Sequence, residues 1–334
     1  MPPPPSDLSA YLLSDQESSR IFASHILPAE LPPPTASPSP PPSPPPLALL
    51  AVGQTGAGKS VLSQTLLPAL RRGRRAPPPA HLVADTFKAY HPRFAHLART
   101  APHLASAAAG PDARRWLVMA ARCVAARRLD VLVESACRHP DDFAQLALLF
   151  RRAGFRVEVL VLAVPAALSR LGILVRFHAG LADARPGALP VRLTPVRVHD
   201  ESYAGLVDAA GFLDREAAAD QVLVVRRGNL VAYGQERGCR GRVVGGGGVA
   251  AALLRERDRP LTQDEVGIAL YDLQKLSRFE DASEQAHQVR AMLQPLMSRN
   301  PCIGIHLPEL VPLEFAGHHR DGNRASHVLR LGQS

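Results

Sequence analysis

Short, strongly apolar runs alternate with longer amphipathic stretches through the middle of the chain. The apolar runs lie at 47–52, 82–84, 131–133, 157–164 and 222–225. The stretches between them, among them 61–71, 112–128 and 141–153, carry apolar residues at the spacing of a helix. Apolar strands separated by helices indicate a parallel sheet that is covered on both faces. The pattern therefore predicts an α/β fold with helices on both faces of a parallel sheet.

The two ends of the chain have patterns that differ from the middle. Ten of the fifteen residues in 32–46 are proline, which favours an extended polyproline II spacer. A helical alternation of apolar residues precedes this spacer at 7–27. Four consecutive glycines at 245–248 predict a hinge. Beyond the hinge, Thr262 and Glu265 have the spacing of a capping box, and apolar residues recur at helical spacing.

These changes of pattern divide the chain into three predicted parts. Residues 1–46 form an N-terminal helix and a Pro-rich linker, and residues 47–240 form the α/β domain. Residues 241–334 form the glycine hinge and a helical C-terminal appendage. Within the α/β domain, the runs 222–226 and 230–233 flank a Gly-Asn pair and predict a terminal hairpin.

One motif in the chain is typical of phosphate-binding loops. Residues 53–60 read Gly-Gln-Thr-Gly-Ala-Gly-Lys-Ser and match G-x-x-x-x-G-K-[ST] between a predicted strand and a predicted helix. In such a P-loop, backbone amides and the helix N-terminus hold the β-phosphate. Lys59 would bridge the β- and γ-phosphates, and the Ser60 hydroxyl would bind Mg²⁺. The motif makes the fold a P-loop NTPase or kinase type, and the predicted ATP-binding residues are Gly53, Gln54, Gly56, Ala57, Gly58, Lys59 and Ser60.

A P-loop is shared by GTPases, motor ATPases and small-molecule kinases, so it does not identify a reaction. The guanine-reading motif N-K-x-D does not occur in the sequence. An apolar run ending in Asp-Glu, which many motor ATPases use to polarise water, is also missing from the sequence. The sequence thus lacks the markers of the first two classes.

Composition and charge narrow the choice of partners. The formal net charge is +9, but only three of the 39 basic residues are lysine. So strong a skew to arginine indicates GC-rich coding rather than a nucleic-acid-binding surface. The four cysteines are too far apart to suggest a disulfide framework or a zinc site, and the sequence has neither a signal-peptide pattern nor an apolar run of membrane-spanning length. We therefore expect a cytoplasmic protein without nucleic-acid or membrane partners.

Charged residues follow the apolar runs at positions where α/β sheets bind ligands. Asp85 follows the second run, and its spacing is equally typical of a catalytic base and of a helix N-cap. Glu134 and Arg138 follow the third run, where a carboxylate can hold the metal's water shell or the acceptor and a guanidinium can bind an anionic acceptor. Arg176 and Arg192 flank a stretch with the composition of a lid, where arginines can clamp the γ-phosphate.

Together these stretches resemble the zeta toxin family, the P-loop kinases that phosphorylate UDP-N-acetylglucosamine. The matching stretches keep their order over roughly 47–235 and are more specific together than the P-loop alone. They are the P-loop itself, Asp85-Thr-Phe-Lys with His91-Pro92, Val133-Glu134 with Arg138, Leu162-Ala-Val-Pro165, Leu171-Gly172 with Arg176, and Arg192 with Thr194-Pro195 and His199-Asp200.

The resemblance implies a role for each charged residue. Asp85 would be the base that takes the proton from the sugar 3′-hydroxyl, and Glu134 and Arg138 would contact the acceptor or the metal. Arg176 and Arg192 would stabilise the triphosphate and the transferring group. The product would be a 3′-phosphorylated nucleotide sugar. Bacterial operon members of the family are restrained by a small helical antitoxin, so the resemblance makes an antitoxin in trans a possible partner; no such domain is evident within the sequence.

Three positions depart from the family pattern and leave other functions open. Thr55 stands where the family usually has Pro, which should not affect phosphate binding. Ala136 stands where a Thr is common, and Val118 lies near the usual place of a helix carboxylate. Because both changes remove polar groups on the acceptor side, a different small acceptor, such as a nucleoside or an antibiotic, is an alternative. Another is a nucleotide-binding interaction module that binds ATP without turning it over.

Overall fold

The central sheet of the protein is mostly parallel. The computed structural model describes residues 7–33, 45–73, 77–182, 193–236, 247–298 and 307. The strands in these ranges are β1 (Leu47–Val52), β2 (Ala80–Val83), β3 (Val131–Ser135), β4 (Arg156–Leu162), β5 (Gln221–Val225) and β6 (Val231–Glu236). They form one sheet in the order β2-β3-β1-β4-β5-β6, in which β6 is antiparallel to β5 and the other pairs are parallel. This arrangement confirms the predicted α/β fold of the P-loop type.

Helices cover both faces of this sheet. They are α1 (Asp15–Ile21), α2 (Leu27–Glu30), α3 (Lys59–Gly73), α4 (Ala84–Phe87), α5 (Phe94–Thr100), α6 (Pro102–Arg127), α7 (Pro140–Arg152), α8 (Ala166–Ala182), α9 (Val196–Arg215), α10 (Val249–Asp258), α11 (Gln263–Leu276) and α12 (Ser283–Met297). Alternate residues of β1 belong to two separate apolar cores because side chains along a strand point to opposite faces. One core contains α6, α7, α9 and α10, and the other contains α3, α8, α11 and α12. None of the helices in the described ranges combines the length and apolar character needed to cross a membrane.

The N-terminal segment 7–33 packs against α6 and the loop before α5. Its helical part includes a π-helical turn between α1 and α2, and several of its apolar side chains are buried in the core beside α6. Trp116 of α6 donates its indole N–H to the carbonyl oxygen of Ser18 at 3.0 Å. His91 donates through Nε2 to the carbonyl oxygen of Tyr11 at 3.0 Å. These buried contacts fix the segment on the domain that it precedes.

The predicted hairpin at the edge of the sheet is present as β5 and β6. Its turn contains two residues with positive φ, Gly228 at 79° and Asn229 at 65°. Glycine and asparagine adopt this conformation at lower cost than other residues. The turn places Arg227 two residues after the end of β5, at the carboxyl end of the parallel strands.

Helix α10 begins directly on the surface of α9. The side chain of Asp214 accepts hydrogen bonds from the backbone amides of Val249 at 2.7 Å and Ala250 at 3.0 Å, which are otherwise unpaired at a helix N-terminus. A Cβ added at Gly248 would lie 2.5 Å from this carboxylate, so a larger residue would displace the Asp214 side chain from these amides. Gly247 and Gly248 are the described end of the glycine segment that predicts a hinge; 245–246 lie outside the described residues.

Helices α11 and α12 pack on α8 and extend one of the two cores. The predicted capping box at the start of α11 is confirmed. Thr262 Oγ1 accepts from the amide of Glu265 at 3.2 Å, and Glu265 Oε2 accepts from the amide of Thr262 at 2.9 Å. The C-terminal helices are therefore continuous with the α/β domain in packing.

A buried ion pair lies at the amino end of β4, away from the P-loop. Arg156 Nε donates to Glu158 Oε1 at 2.5 Å, and a terminal nitrogen of Arg156 lies 3.2 Å from Glu236 Oε1. Glu158 Oε2 is buried and makes no hydrogen bond within the described residues. Burial raises the pKa of Glu158 to about 7, although the charge of Arg156 opposes this change. An ionised Glu158 is therefore costly in the folded state.

We predict that Glu158→Gln reduces the pH dependence of folding stability. The pKa of Glu158 in the fold is about 7, above the ordinary 4.5, so the folded state retains a proton that the unfolded chain has lost between these values. The free energy of unfolding of the wild type should therefore fall as pH rises from about 4.5 to 7. Chemical denaturation across this range should show a flatter profile for Glu158→Gln and an unchanged profile for the exposed control Glu280→Gln. Equal slopes for Glu158→Gln and the wild type would contradict the assignment.

Candidate active site

The P-loop turns tightly between the end of β1 and the start of α3. Gly56 has a φ of 80° and Gly58 a φ of 106°, both in the left-handed region. A Cβ added at Gly56 would lie 2.2 Å from the carbonyl oxygen of Ser169 on α8. The loop therefore lies against α8 at a distance that only glycine permits.

Arg227 contacts the P-loop on the side that faces α8. One terminal nitrogen of its guanidinium donates to the carbonyl oxygens of Gly56 at 2.7 Å and Leu168 at 3.0 Å. Its Nε donates to the carbonyl oxygen of Ala57 at 3.4 Å. Because the C=O and N–H of a peptide unit point in opposite directions, this contact turns the N–H of Gly58 away from Arg227. Burial lowers the pKa of Arg227 from its ordinary value.

The side chain of Lys59 lies along the loop. Its Nζ donates to the carbonyl oxygens of Gly53 at 2.7 Å and Gln54 at 3.2 Å. Burial lowers the pKa of Lys59, and the nearby Glu134 and Asp85 act in the opposite direction. A half-buried ammonium group held only by carbonyl oxygens attracts the phosphates of a nucleotide strongly.

Glu134 lies beside Ser60 at the end of β3. Ser60 Oγ donates to Glu134 Oε2 at 3.2 Å, and His81 Nε2 lies 3.0 Å from Glu134 Oε1. Burial acts to raise the pKa of Glu134, but the hydrogen bond from His81 and the charge of Lys59 outweigh it, and the net pKa lies below the ordinary value. A hydroxyl and an ionised carboxylate therefore meet beside the P-loop.

These two oxygen ligands fit Mg²⁺, which prefers oxygen and takes its remaining ligands from water and substrate phosphates. In the described part of the chain, His, Cys, Asp and Glu do not gather in groups of three or more that could hold a metal ion.

Asp85 lies in the first turn of α4, directly after β2. The N-cap of α4 is Val83, which makes no side-chain capping bond, so Asp85 is not the N-cap. Its carboxylate is 81% exposed and pairs with Lys88 Nζ at 2.6 Å. Loss of surrounding water acts to raise the pKa of Asp85. The charges of Lys88, Lys59 and Arg176 outweigh this effect, and the net pKa lies below the ordinary value. Asp85 therefore lies in an open cleft, and Lys59 is close enough to influence its ionisation.

The predicted arginines occupy different positions around this cleft. Arg176 is exposed on α8 and makes no hydrogen bond or ion pair with a described residue, but its charge lowers the pKa values of both Lys59 and Asp85. Arg138 is paired through Nε with Glu201 Oε2 at 2.5 Å. Arg192 lies outside the described residues.

A buried polar cluster lies on the other side of the P-loop. The side-chain amide of Gln54 donates to the carbonyl oxygen of Val164 at 2.6 Å and to Ser169 Oγ at 3.2 Å. A hydrogen bond of 2.8 Å joins Ser169 Oγ to His199 Nε2. Arg257 of α10 also belongs to this cluster. A terminal nitrogen of its guanidinium donates to Gln54 Oε1 at 3.2 Å.

Three residues of this site escaped the sequence analysis: His81, Arg227 and Arg257. Arg227 follows β5 at the carboxyl edge of the sheet, and that position was the available signal. His81 lies inside a short strand, and Arg257 lies far from the P-loop in sequence. Nothing in their local sequence distinguishes either residue from surface positions.

Comparisons with known proteins agree with the fold and the P-loop. The model of the zeta toxin family matches residues 35–237. The toxin zeta proteins of Enterococcus hirae and Streptococcus pyogenes are each 26% identical to this chain over 153 residues, or 46% of the chain. The matches span 51% and 50% of these relatives, about half of their length.

A solved structure supports the same fold. It is described as the PezAT chromosomal toxin–antitoxin system of Streptococcus pneumoniae, and it is similar over 86% of this chain and 100% of its own, with a TM-score of 0.59 and 18% identity. The family model covers more than half of the chain and includes the P-loop, Asp85 and Glu134. The resemblance is confirmed, and the chain belongs to the zeta toxin family.

Proposed function

We propose that the protein is an ATP-dependent phosphotransferase that transfers the γ-phosphate to the 3′-hydroxyl of UDP-N-acetylglucosamine or a related sugar nucleotide. One observation carries the proposal: Asp85 and Lys59 lie close enough for the charge of each to shift the pKa of the other, and Lys59 runs along the P-loop, which Ser60 links to Glu134. A small-molecule kinase requires a base near the acceptor and cations near the phosphates. Membership of the zeta toxin family supports the nucleotide sugar as acceptor.

In this mechanism Asp85 orients the acceptor hydroxyl and takes its proton. The hydroxyl oxygen forms a bond to the γ-phosphorus while the bond to the β–γ bridging oxygen breaks, and ADP leaves. Lys88 keeps Asp85 ionised, since it is the foremost group lowering the pKa of this carboxylate. A weakly basic carboxylate suits a loose transition state, because the proton is transferred after the phosphoryl group has largely left ADP.

The phosphates are held from the P-loop side. We propose that Lys59 leaves the carbonyl oxygens of Gly53 and Gln54 and binds the β- and γ-phosphates. Arg176, which has no partner among the described residues, stabilises the transferring group. Ser60 and Glu134 would hold Mg²⁺, directly or through water, and the bound metal would supply positive charge to the phosphate oxygens. The role of Arg192 as a phosphate clamp stays a prediction from the resemblance to the family.

We propose that Arg138 contributes to the acceptor site together with Glu201. Because Arg138 uses Nε for Glu201, its terminal nitrogens make no hydrogen bond to a described residue. Glu201 also pairs with Arg197 at 2.6 Å, so the guanidinium of Arg138 is held in one orientation by a shared carboxylate. An oriented guanidinium suits the diphosphate of a nucleotide sugar.

A second candidate acceptor class is a nucleoside or another small hydroxyl compound. Its support is the half-buried Ala136, which stands after β3 between Glu134 and Arg138 and offers no polar group to a sugar. A non-catalytic module that binds nucleotide is the remaining alternative. We also propose an antitoxin partner in trans and a cytoplasmic location, by analogy with the toxin–antitoxin system of the similar structure.

We predict that the purified protein phosphorylates UDP-N-acetylglucosamine when it is given ATP and Mg²⁺. A panel of sugar nucleotides, nucleosides and aminoglycoside antibiotics, followed by mass spectrometry, tests the acceptor directly. Phosphate on the 3′-hydroxyl of the sugar supports the proposal. Preferential turnover of a non-sugar acceptor selects the second candidate. ATP binding without transfer to any acceptor would leave only the interaction module.

We predict that Asp85→Asn lowers kcat by about 10²–10⁴-fold and leaves the Kd for ATP nearly unchanged, because a base acts mainly in the transition state. Lys59→Met should damage both kcat and ATP binding. Steady-state kinetics and equilibrium binding of a fluorescent ATP analogue separate the two effects. The exposed Asp208→Asn is the matched control and should behave as wild type. A kcat for Asp85→Asn equal to that of the wild type would exclude Asp85 as the catalytic base.

We predict that Glu134→Gln raises the Mg²⁺ concentration needed for half-maximal activity by about 10–100-fold, since a neutral amide orients and attracts the metal's water less well than a carboxylate. A titration of activity against Mg²⁺ at saturating ATP gives this value. Glutamine preserves the hydrogen bond from Ser60, so the P-loop should stay in place. An unchanged Mg²⁺ requirement with weaker acceptor binding would assign Glu134 to the acceptor instead.

A further inference from the structure

Arg257 is a buried cation that comes from outside the segment matched by the family model. It lies in the last turn of α10 and is 3% exposed. One terminal nitrogen donates to Gln54 Oε1 at 3.2 Å, and the other donates to the carbonyl oxygen of Tyr203 at 2.9 Å. The guanidinium also lies over the Tyr203 ring, 3.6 Å from its centroid. A side chain from the C-terminal helices thus reaches the second residue of the P-loop.

Gln54 depends on this contact. Its side chain is fully buried, and its amide nitrogen is used by Val164 and Ser169, so its Oε1 needs a donor from elsewhere. Among the described residues, the donor is Arg257. A buried amide oxygen without a donor is costly, because the group loses its water and gains nothing in return. Arg257 therefore fixes the orientation of the Gln54 side chain.

The backbone of Gln54 shapes the part of the loop that receives phosphate. Its carbonyl oxygen accepts from Lys59 Nζ at 3.2 Å and from the amide of Ala57 at 3.1 Å. A movement of Gln54 consequently changes both the position of the P-loop lysine and the turn that follows. The next amide, that of Thr55, donates to Ser202 Oγ of α9 at 3.1 Å. The Thr55–Ser202 bond connects the first turn of the loop to α9, and the Gln54–Arg257 bond connects it to α10.

The contacts of Arg257 differ from those of its neighbours on α10. Glu256 pairs with Arg226, which follows β5, and with Arg259 at 3.0 Å, and none of these three residues contacts the P-loop in the described structure. The Arg226–Glu256 pair attaches α10 to the domain, as does Arg257. It therefore provides a way to loosen α10 without touching Gln54.

We propose that Arg257 is a positioning residue for the phosphate-binding loop, acting through Gln54. The inference rests on the proposed function as far as it concerns catalysis, but its effect on nucleotide binding does not depend on the identity of the acceptor. It makes α10 a structural part of the nucleotide site. Residues that support a loop in this way affect the reacting groups by small displacements, and a misplacement of about 1 Å can cost about 10²-fold in rate.

The full-length protein with Arg257→Met tests the proposal. We expect kcat/KM for ATP to fall by about 10²-fold and the affinity for a fluorescent ATP analogue to fall with it. Arg226→Met is the matched control: it breaks the other link of α10 and should lower the unfolding temperature while leaving ATP affinity close to wild type. An equal loss of ATP affinity in both variants, or none in Arg257→Met, would overturn the proposal.

Further variants cover the case in which Arg257→Met does not fold. Arg257→Lys keeps the charge but loses the two-sided geometry of guanidinium, and it should recover only part of the ATP affinity. Gln54→Met leaves Arg257 and α10 in place and should reproduce the loss. If Arg257 acts through Gln54, the double variant Arg257→Lys/Gln54→Met should bind ATP no more weakly than Gln54→Met alone. Fully additive losses would mean that Arg257 acts by another route.

Absence of acceptor phosphorylation by the wild type would contradict the proposed kinase and still leave the ATP-binding comparison valid. Loss of ATP affinity in Arg257→Met with retention in Arg226→Met supports the positioning role in that case too. The two proposals therefore fail on different measurements.

Discussion

Three cations surround the P-loop, one buried and two half-buried, and none forms an ion pair with a carboxylate of a described residue. Lys59, Arg227 and Arg257 instead donate to backbone carbonyl oxygens and, in one case, to the side-chain amide of Gln54. Other half-buried arginines of the fold, such as Arg156 and Arg226, pair with glutamates. Carbonyl oxygens accept hydrogen bonds from these cations but do not cancel their charge. The loop therefore keeps a positive potential that only an anion can neutralise, and a polyphosphate does so.

Each acidic residue of the cleft has a partner other than Lys59. Asp85 is paired with Lys88, and Glu134 is hydrogen-bonded to His81. Each carboxylate thus stays ionised without forming an ion pair with Lys59. This separation matters because a direct pair between Lys59 and either acid would compete with the phosphates. The exposed Asp85 remains open to an acceptor, while the buried Glu134 faces Ser60, so the two acids suit different tasks.

The sequence predicts the frame of this site well, because apolar runs and the P-loop motif are local signals. It also brings Asp85 and Glu134 to the correct edge of the sheet, since both follow a strand. The sequence leaves two roles open for Asp85, a catalytic base and a helix N-cap. The structure excludes the N-cap, because α4 begins after Val83. The sequence also predicts a helix only from residue 112, whereas α6 begins at Pro102, because the alanine-rich first part lacks an apolar stripe. Arg257 has no local signal, because its role depends on tertiary contacts. The position of Arg227 after β5 is a weak signal, because the chain is rich in arginine.

The two supporting arginines approach the P-loop from opposite faces of the sheet. Arg227 contacts α8, which belongs to one core, and Arg257 comes from α10, which belongs to the other. Support from one face alone would leave the loop free to tilt toward the unsupported side, because Gly56 and Gly58 provide little stiffness of their own. The glycines that allow the close turn thus create the need for rigid contacts on both sides. On this reasoning, the smallest unit that can hold the loop extends past β6 and through α10, beyond the last residue matched by the family model.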